Sequence, residues 1–210
     1  MKNRCAFACL AAGLAMSAGS AQADVLLEQL PNFANAYFSD YSGNFPDQEL
    51  ADNFTLSSAN TINQITFWGV YYPSNSPSDN FTVNIYADSG SNLPGALLSS
   101  QPIATSRTDT GVDAFGVDFY EYTASLSSPF AAAGGTQYWI SVVNSAGNPA
   151  SSWGWGTGNG DANGAYSLDS TGSWNQLGES LAVRLENVVP APSSLALAGL
   201  MGLGAMRRRR

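Results

Sequence analysis

Histidine is absent from this 210-residue chain, lysine occurs once, at Lys2, and both cysteines, Cys5 and Cys9, fall within the first ten residues. These gaps exclude Ser-His-Asp and Cys-His catalysis, His or Cys zinc sites, Schiff-base lysines and P-loop phosphate sites from the body of the chain. Cations are almost as scarce. Between residues 24 and 190 only Arg107 and Arg184 stand against sixteen carboxylates, which leaves that stretch at −14. So acidic a body has nothing to replace the counterions of a phosphate backbone, which excludes nucleic acid as a partner, and an anionic lipid surface repels it. Carboxylate chemistry, Ca²⁺ on oxygen ligands, aromatic stacking, or presentation of a surface without chemistry remain.

The two ends have the composition that the body lacks. Lys2 and Arg4 precede an apolar run from Ala6 to Met16, and small residues follow up to Ala21-Gln22-Ala23. This is the layout of a secretory signal peptide with an A-x-A cleavage site, and it predicts removal of residues 1–23 by signal peptidase and a mature start at Asp24. The mature chain then holds no cysteine in an oxidising compartment, so packing alone must stabilise it. At the other end, residues 188–210 read as a short apolar helix from Leu195 to Met206, then Arg207, Arg208, Arg209 and Arg210. Twelve helical residues span about 18 Å, short of the roughly 30 Å hydrocarbon core of a bilayer. The arginines are expected to stay cytoplasmic and stop transfer, which gives a transient inner-membrane association.

The segment Val189-Pro190-Ala191-Pro192-Ser193-Ser194-Leu195-Ala196-Leu197-Ala198-Gly199-Leu200, with Gly202-Leu203-Gly204 and the four arginines, resembles the PEP-CTERM sorting domain. In that family a Pro-Glu-Pro motif precedes a Gly/Leu-rich helix and an Arg cluster. Ala191 stands where the family has Glu. The resemblance covers about the last 22 residues. It implies a Gram-negative bacterium that makes extracellular polysaccharide, processing by an exosortase-type transpeptidase, and a destination in the cell envelope or extracellular matrix.

Residues 24–187 read as one all-β domain, an antiparallel β-sandwich of jelly-roll type, flanked by the N-terminal signal helix and the C-terminal hydrophobic helix. No segment keeps a helical period, whereas short alternating runs are frequent. Phe81, Val83 and Ile85 share one face, as do Tyr120, Tyr122, Ala124 and Leu126, and Leu181, Val183 and Leu185, with Arg184 and Glu186 outward. Tyr138, Ile140 and Val142 oppose Trp139 and Val143, which predicts a central strand. Turn residues punctuate these runs, and about eight strands are expected. The stretch Ser128-Pro129-Phe130, with Gly134-Gly135-Thr136-Gln137-Tyr138-Trp139-Ile140-Ser141-Val142, resembles the bodies of secreted PEP-CTERM jelly rolls, which implies architecture only.

Candidate sites are few. Trp153 and Trp155 lie two apart and share a face on a strand; with Tyr166, Trp174 and the polar residues between them they are candidates for a sugar-stacking platform. Core packing accounts for the same rings, and tryptophan is usually buried. Tyr71-Tyr72 before Pro73 fits either an aromatic surface or strand packing. Asn159, Asp161 and Asn163 are candidate Ca²⁺ ligands, though a solvated turn needs the same residues. Asp109, Asp113 and Asp118 form a second acidic stretch. Asp118 and Glu121, three apart, fall on opposite faces of a strand and cannot form a glycosidase pair locally. No catalytic residue and no cofactor is assigned. The expected role is a secreted, non-catalytic sandwich, associated with extracellular polysaccharide; the alternatives are a carbohydrate-binding module and a carboxylate-based glycoside hydrolase.

Overall fold

Alternation of apolar and polar residues builds two stacked sheets. A computed structural model describes residues 22–41, 45–73, 79–147, 150–168 and 172–189. The residues through Ala21, read above as a signal peptide, and those from Pro190, with Ala191, Pro192 and the four arginines, read above as a sorting signal, lie outside the described residues. Among the described residues there are fourteen strands and no helix. The first sheet has eight: β1 (Gln22–Gln29), β2 (Pro31–Phe38), β4 (Asn60–Tyr72), β7 (Ser106–Ala114), β8 (Val117–Ala132), β10 (Ser152–Gly158), β13 (Ser180–Leu181) and β14 (Val183–Val189). The second has six, in the order β12 (Trp174–Gln176), β11 (Ala165–Leu168), β3 (Gln48–Thr55), β9 (Gln137–Asn144), β5 (Phe81–Asp88) and β6 (Pro94–Ile103). The ladders that join the strands from β2 to β14 are antiparallel, which gives the expected all-β sandwich.

More strands form than the sequence suggests. The extra ones are either very short, as β11, β12 and β13, or polar edge strands such as β7, whose residues do not alternate in hydrophobicity. Where alternation was clear it is obeyed. Phe81, Val83 and Ile85 face the core, as do Tyr122, Ala124 and Leu126, and Leu181, Val183 and Leu185. β9 is central and buried on both faces, with Ile140 and Val142 inward and Trp139 and Val143 outward. Glu186 points outward as expected but is buried there, accepting hydrogen bonds from Gln64 Nε2 (3.1 Å) and Thr66 Oγ1 (3.2 Å).

β4 organises the first sheet. β8 pairs along one side of it from Asn60 to Val70, while the other side is shared, by β14 over Gln64–Phe67 and by β10 over Gly69–Tyr72. β2 then pairs on the far side of β10. Two buried aspartates tie the sheets together. Asp40 Oδ2 accepts the Trp153 N–H (2.7 Å) of β10 and Asn144 Nδ2 (2.9 Å) of β9. Asp52, on β3, accepts the Leu181 N–H (2.7 Å) of β13 and the Asn53 N–H (3.0 Å). Burial pushes Asp52 up to about 7, against the hydrogen bonds from Leu181 and Asn53. Burial likewise pushes Asp40 up to about 6, against those from Trp153 and Asn144.

Candidate functional site

The strand Ser152-Trp153-Gly154-Trp155-Gly156-Thr157-Gly158 alternates the largest side chain with the smallest. Period two sends both indoles to one face and the glycines to the other. Trp153 and Trp155 point inward and are 0% exposed. The Trp153 ring meets Phe67, Phe81 and Tyr122 edge-on, at centroid distances of 5.7, 4.9 and 6.1 Å, and the Trp155 Nε1–H donates to Ala182 O (2.8 Å). Rings sealed in this way cannot stack on a sugar, so the platform proposed from the sequence does not form. Its other members are elsewhere: Tyr166 packs against the core from β11, and Trp174 lies on the outer side of the second sheet, edge-on to Tyr86 at 5.4 Å.

What the glycines leave open is the outer face of the first sheet. Gly154 faces Val70 on β4 and Phe38 on β2. A cleft of about 390 Å³ lies over it, walled by Ala36, Phe38, Val70, Tyr72 and Phe115. Tyr72 is 40% exposed and Phe115 51% exposed, and Phe45 continues the aromatic surface by stacking on Phe38 at 4.2 Å. Of the Tyr71-Tyr72 pair, then, Tyr71 packs in the core and Tyr72 opens to this face.

A second cleft of about 410 Å³ lies on the same face, lined by Leu30, Phe33, Trp68, Glu121 and Arg184, with Thr108, Asp109 and Thr110 at one wall. Trp68, Val70 and Tyr72 are successive outward positions of β4 and join the two clefts over about 13 Å. The Trp68 Nε1–H donates to Glu121 Oε2 (3.1 Å), and the Arg184 guanidinium lies over the indole at 5.5 Å. Arg184 Nε also donates to Glu28 Oε1 (2.6 Å), so this cation is already neutralised. A third depression, between β6 and β8, is lined by Ser, Thr, Ala and other uncharged residues.

Each cleft on the first sheet holds a phenylalanine in the left-handed backbone region. Phe33 has φ of 55° and Phe115 has φ of 58°. Phe115 and Gly116 (φ 77°) form the two-residue connection between Ala114 and Val117, a turn with both central residues at positive φ. Asparagine or glycine is preferred at such a position, and a bulky residue there is strained by about 1–3 kcal/mol. At Phe115 the turn lifts the ring out of the hairpin into the first cleft. Phe33 sets its ring against Phe119 at 5.0 Å in the second. The sequence does not reveal these two residues, because nothing in the propensity of phenylalanine points to a positive φ.

The remaining sequence candidates are placed as follows. Asp161 accepts hydrogen bonds from Asn53 Nδ2 (3.0 Å), the Asn163 N–H (3.2 Å) and Ser180 Oγ (3.5 Å). Partial burial would raise its pKa, but the bonds from Asn53 and Asn163 outweigh it and hold the carboxyl below its ordinary range. The Asn159 N–H donates to Leu30 O, and Asn163 Oδ1 accepts from Asn92. The loop is thus tied to neighbouring segments at Leu30, Asn53, Asn92 and Ser180. Among the described residues no three His, Cys, Asp or Glu side chains gather as a metal site. Asp113 and Asp118 pair across β7 and β8, and Asp118 accepts the Tyr120 hydroxyl (2.8 Å). Asp109 and Glu121 line one cleft, but Asp109 Oδ1 accepts the Gly111 N–H (2.8 Å) in its own turn.

Among curated proteins none matches this chain. A family model described as a domain of unknown function, DUF7901, matches residues 27–193, a span that takes in both clefts and nearly all of the sandwich. The chain belongs to the DUF7901 family.

Proposed function

We propose that the chain is a secreted, non-catalytic β-sandwich, delivered to the cell envelope or extracellular matrix, which presents the outer face of its first sheet to extracellular polysaccharide. The observation that carries this reading is the pair of strained phenylalanines, Phe33 and Phe115, one at each cleft of a single aromatic-lined face. Strain of this kind persists at positions kept for binding. Flat apolar rings beside hydroxyl and carboxylate groups suit the two sides of a sugar ring. The sandwich is read as jelly-roll-like because the chain passes repeatedly from one sheet to the other, as from β2 to β3 to β4 to β5. A non-catalytic role fits the engaged carboxylates of the second cleft, with Glu121 holding the Trp68 indole and Asp109 its own turn.

Phe115→Asn separates binding from folding. It creates the Asn-Gly pair that this turn prefers, so unfolding free energy should rise by about 1 kcal/mol while the exposed ring is lost. Affinity for a soluble β-glucan should fall about tenfold, the upper range for one aromatic contact. A variant that gains stability and keeps full affinity removes the face from the binding reading.

Delivery rests on the terminal patterns and the PEP-CTERM resemblance, with signal peptidase and an exosortase-type transpeptidase as the processing partners. Replacing Pro190 and Pro192 together, or the four terminal arginines, should leave a larger, membrane-retained product in fractionated cells. Unchanged size and destination for both variants argues against sorting.

A further inference from the structure

We propose that the saccharide taken by this face carries amino groups and is cationic, with its amine at Glu121 and its ring planes against the accessible rings of Phe33, Tyr72 and Phe115; this rests on the binding reading above. Charge complementarity is the argument. The second cleft carries the carboxylates of Asp109 and Glu121, and the one cation on its wall, Arg184, is held by Glu28 at 2.6 Å. Glu121 uses Oε2 for the Trp68 indole, and a carboxylate has further lone pairs for a ligand ammonium. Beyond the cleft, the stretch 24–190 at −14 sets a field that draws in cations and repels uronate-bearing polymers. A neutral saccharide would use the rings but leave this charge without a counterpart. The half-buried Phe33 ring beside the Thr108 hydroxyl favours a sugar over a basic peptide, whose extended chain has no such plane.

Four short probes decide it by calorimetry on the full chain: cellotetraose, the tetramer of glucosamine, the tetramer of N-acetylglucosamine and tetralysine. The glucosamine tetramer should bind about tenfold more tightly than cellotetraose at low salt, as one charge-assisted contact allows, and the advantage should shrink as salt is raised. Glu121→Gln keeps an acceptor for the Trp68 N–H and should abolish the preference for the glucosamine tetramer over cellotetraose. Asp24→Asn, which removes one exposed negative charge that lines neither cleft, should have little effect. Equal affinity for the glucosamine and neutral tetramers overturns the amine inference while leaving the glycan reading intact. So does equal weakening by Glu121→Gln and Asp24→Asn, which would mean a diffuse field only. Tetralysine binding as tightly as the glucosamine tetramer would show that charge alone is recognised and overturn it as well. If no saccharide binds, the glycan reading itself fails.

Discussion

Trp153→Ala is expected to cost about 4 kcal/mol of unfolding free energy, the middle of the range for a large aromatic removed from a packed core. Domains of this size have about 5–15 kcal/mol in total, so one substitution takes the fold close to its limit. The effect is large because of where the ring lies. It fills the space between the sheets and meets Phe67, Phe81 and Tyr122 edge-on, contacts worth about 0.5–1.5 kcal/mol each beyond buried area. Gly69, on the neighbouring strand, has no room even for a methyl group, since a Cβ there would come within 2.7 Å of the Trp153 ring. The alanine variant therefore leaves a cavity bounded by rigid strands that cannot collapse into it. Urea denaturation of Trp153→Ala beside Tyr72→Ala measures this. The exposed tyrosine should cost well under about 1 kcal/mol, as surface substitutions do. The opposite result, a stable Trp153→Ala protein that no longer binds glycan, would place the indole on the surface after all.

The same strand shows how far the sequence could be read. Trp-Gly-Trp-Gly alternation was legible as a strand, and so was the rule that both indoles share a face. The glycines beside them suggest uncovered rings only if one forgets that period two puts glycine on the other side; what they uncover is the opposite face, over Gly154. β5 and β9 were legible because their inward residues alternate without interruption. The division of β4 between β14 and β10 was not, since which strands meet along one edge depends on register between segments 80 or more residues apart. Phe33 and Phe115 were hidden for a different reason. Their backbone conformation runs against the preference of the residue, and only Gly116 marks the second turn. Among the described residues Ala162, with φ of 61°, also departs from its local preference but lines neither cleft, so Phe33 and Phe115 are set apart by their place at the clefts and not by backbone conformation alone.

Acidification from pH 8 to pH 5 is expected to stabilise this protein, by on the order of 4 kcal/mol through Asp52 and Asp40 together. The sign follows from the direction of their shifts. Burial raises Asp52 from 3.8 to about 7 and Asp40 from 3.8 to about 6. In the window between the unfolded and folded values the native state keeps protons that the unfolded chain has released. Stability therefore falls as pH rises through that window: the contribution is whole below about pH 4 and gone above about pH 7. Over pH 5 to 8 Asp52 supplies about 3 kcal/mol of the change and Asp40 about 1, because part of Asp40's window lies below pH 5. The structure gives the reason the neutral form is preferred. Asp52 is fully buried between the sheets, and Asp161 adds a second negative charge nearby. Asp40 Oδ1 is buried with no hydrogen-bond partner among the described residues, so ionising the group strands a charged oxygen away from solvent. Asp40→Asn keeps a carbonyl oxygen for the Trp153 and Asn144 donors and removes the charge. It should raise stability at pH 8, leave it nearly unchanged at pH 4, and flatten the profile by Asp40's share. Urea midpoints at pH 5, 6.5 and 8 for the parent and this variant provide the measurement. A parent protein whose midpoint stays level or climbs over that interval would mean that both carboxyls ionise normally, with water reaching the interface between the sheets.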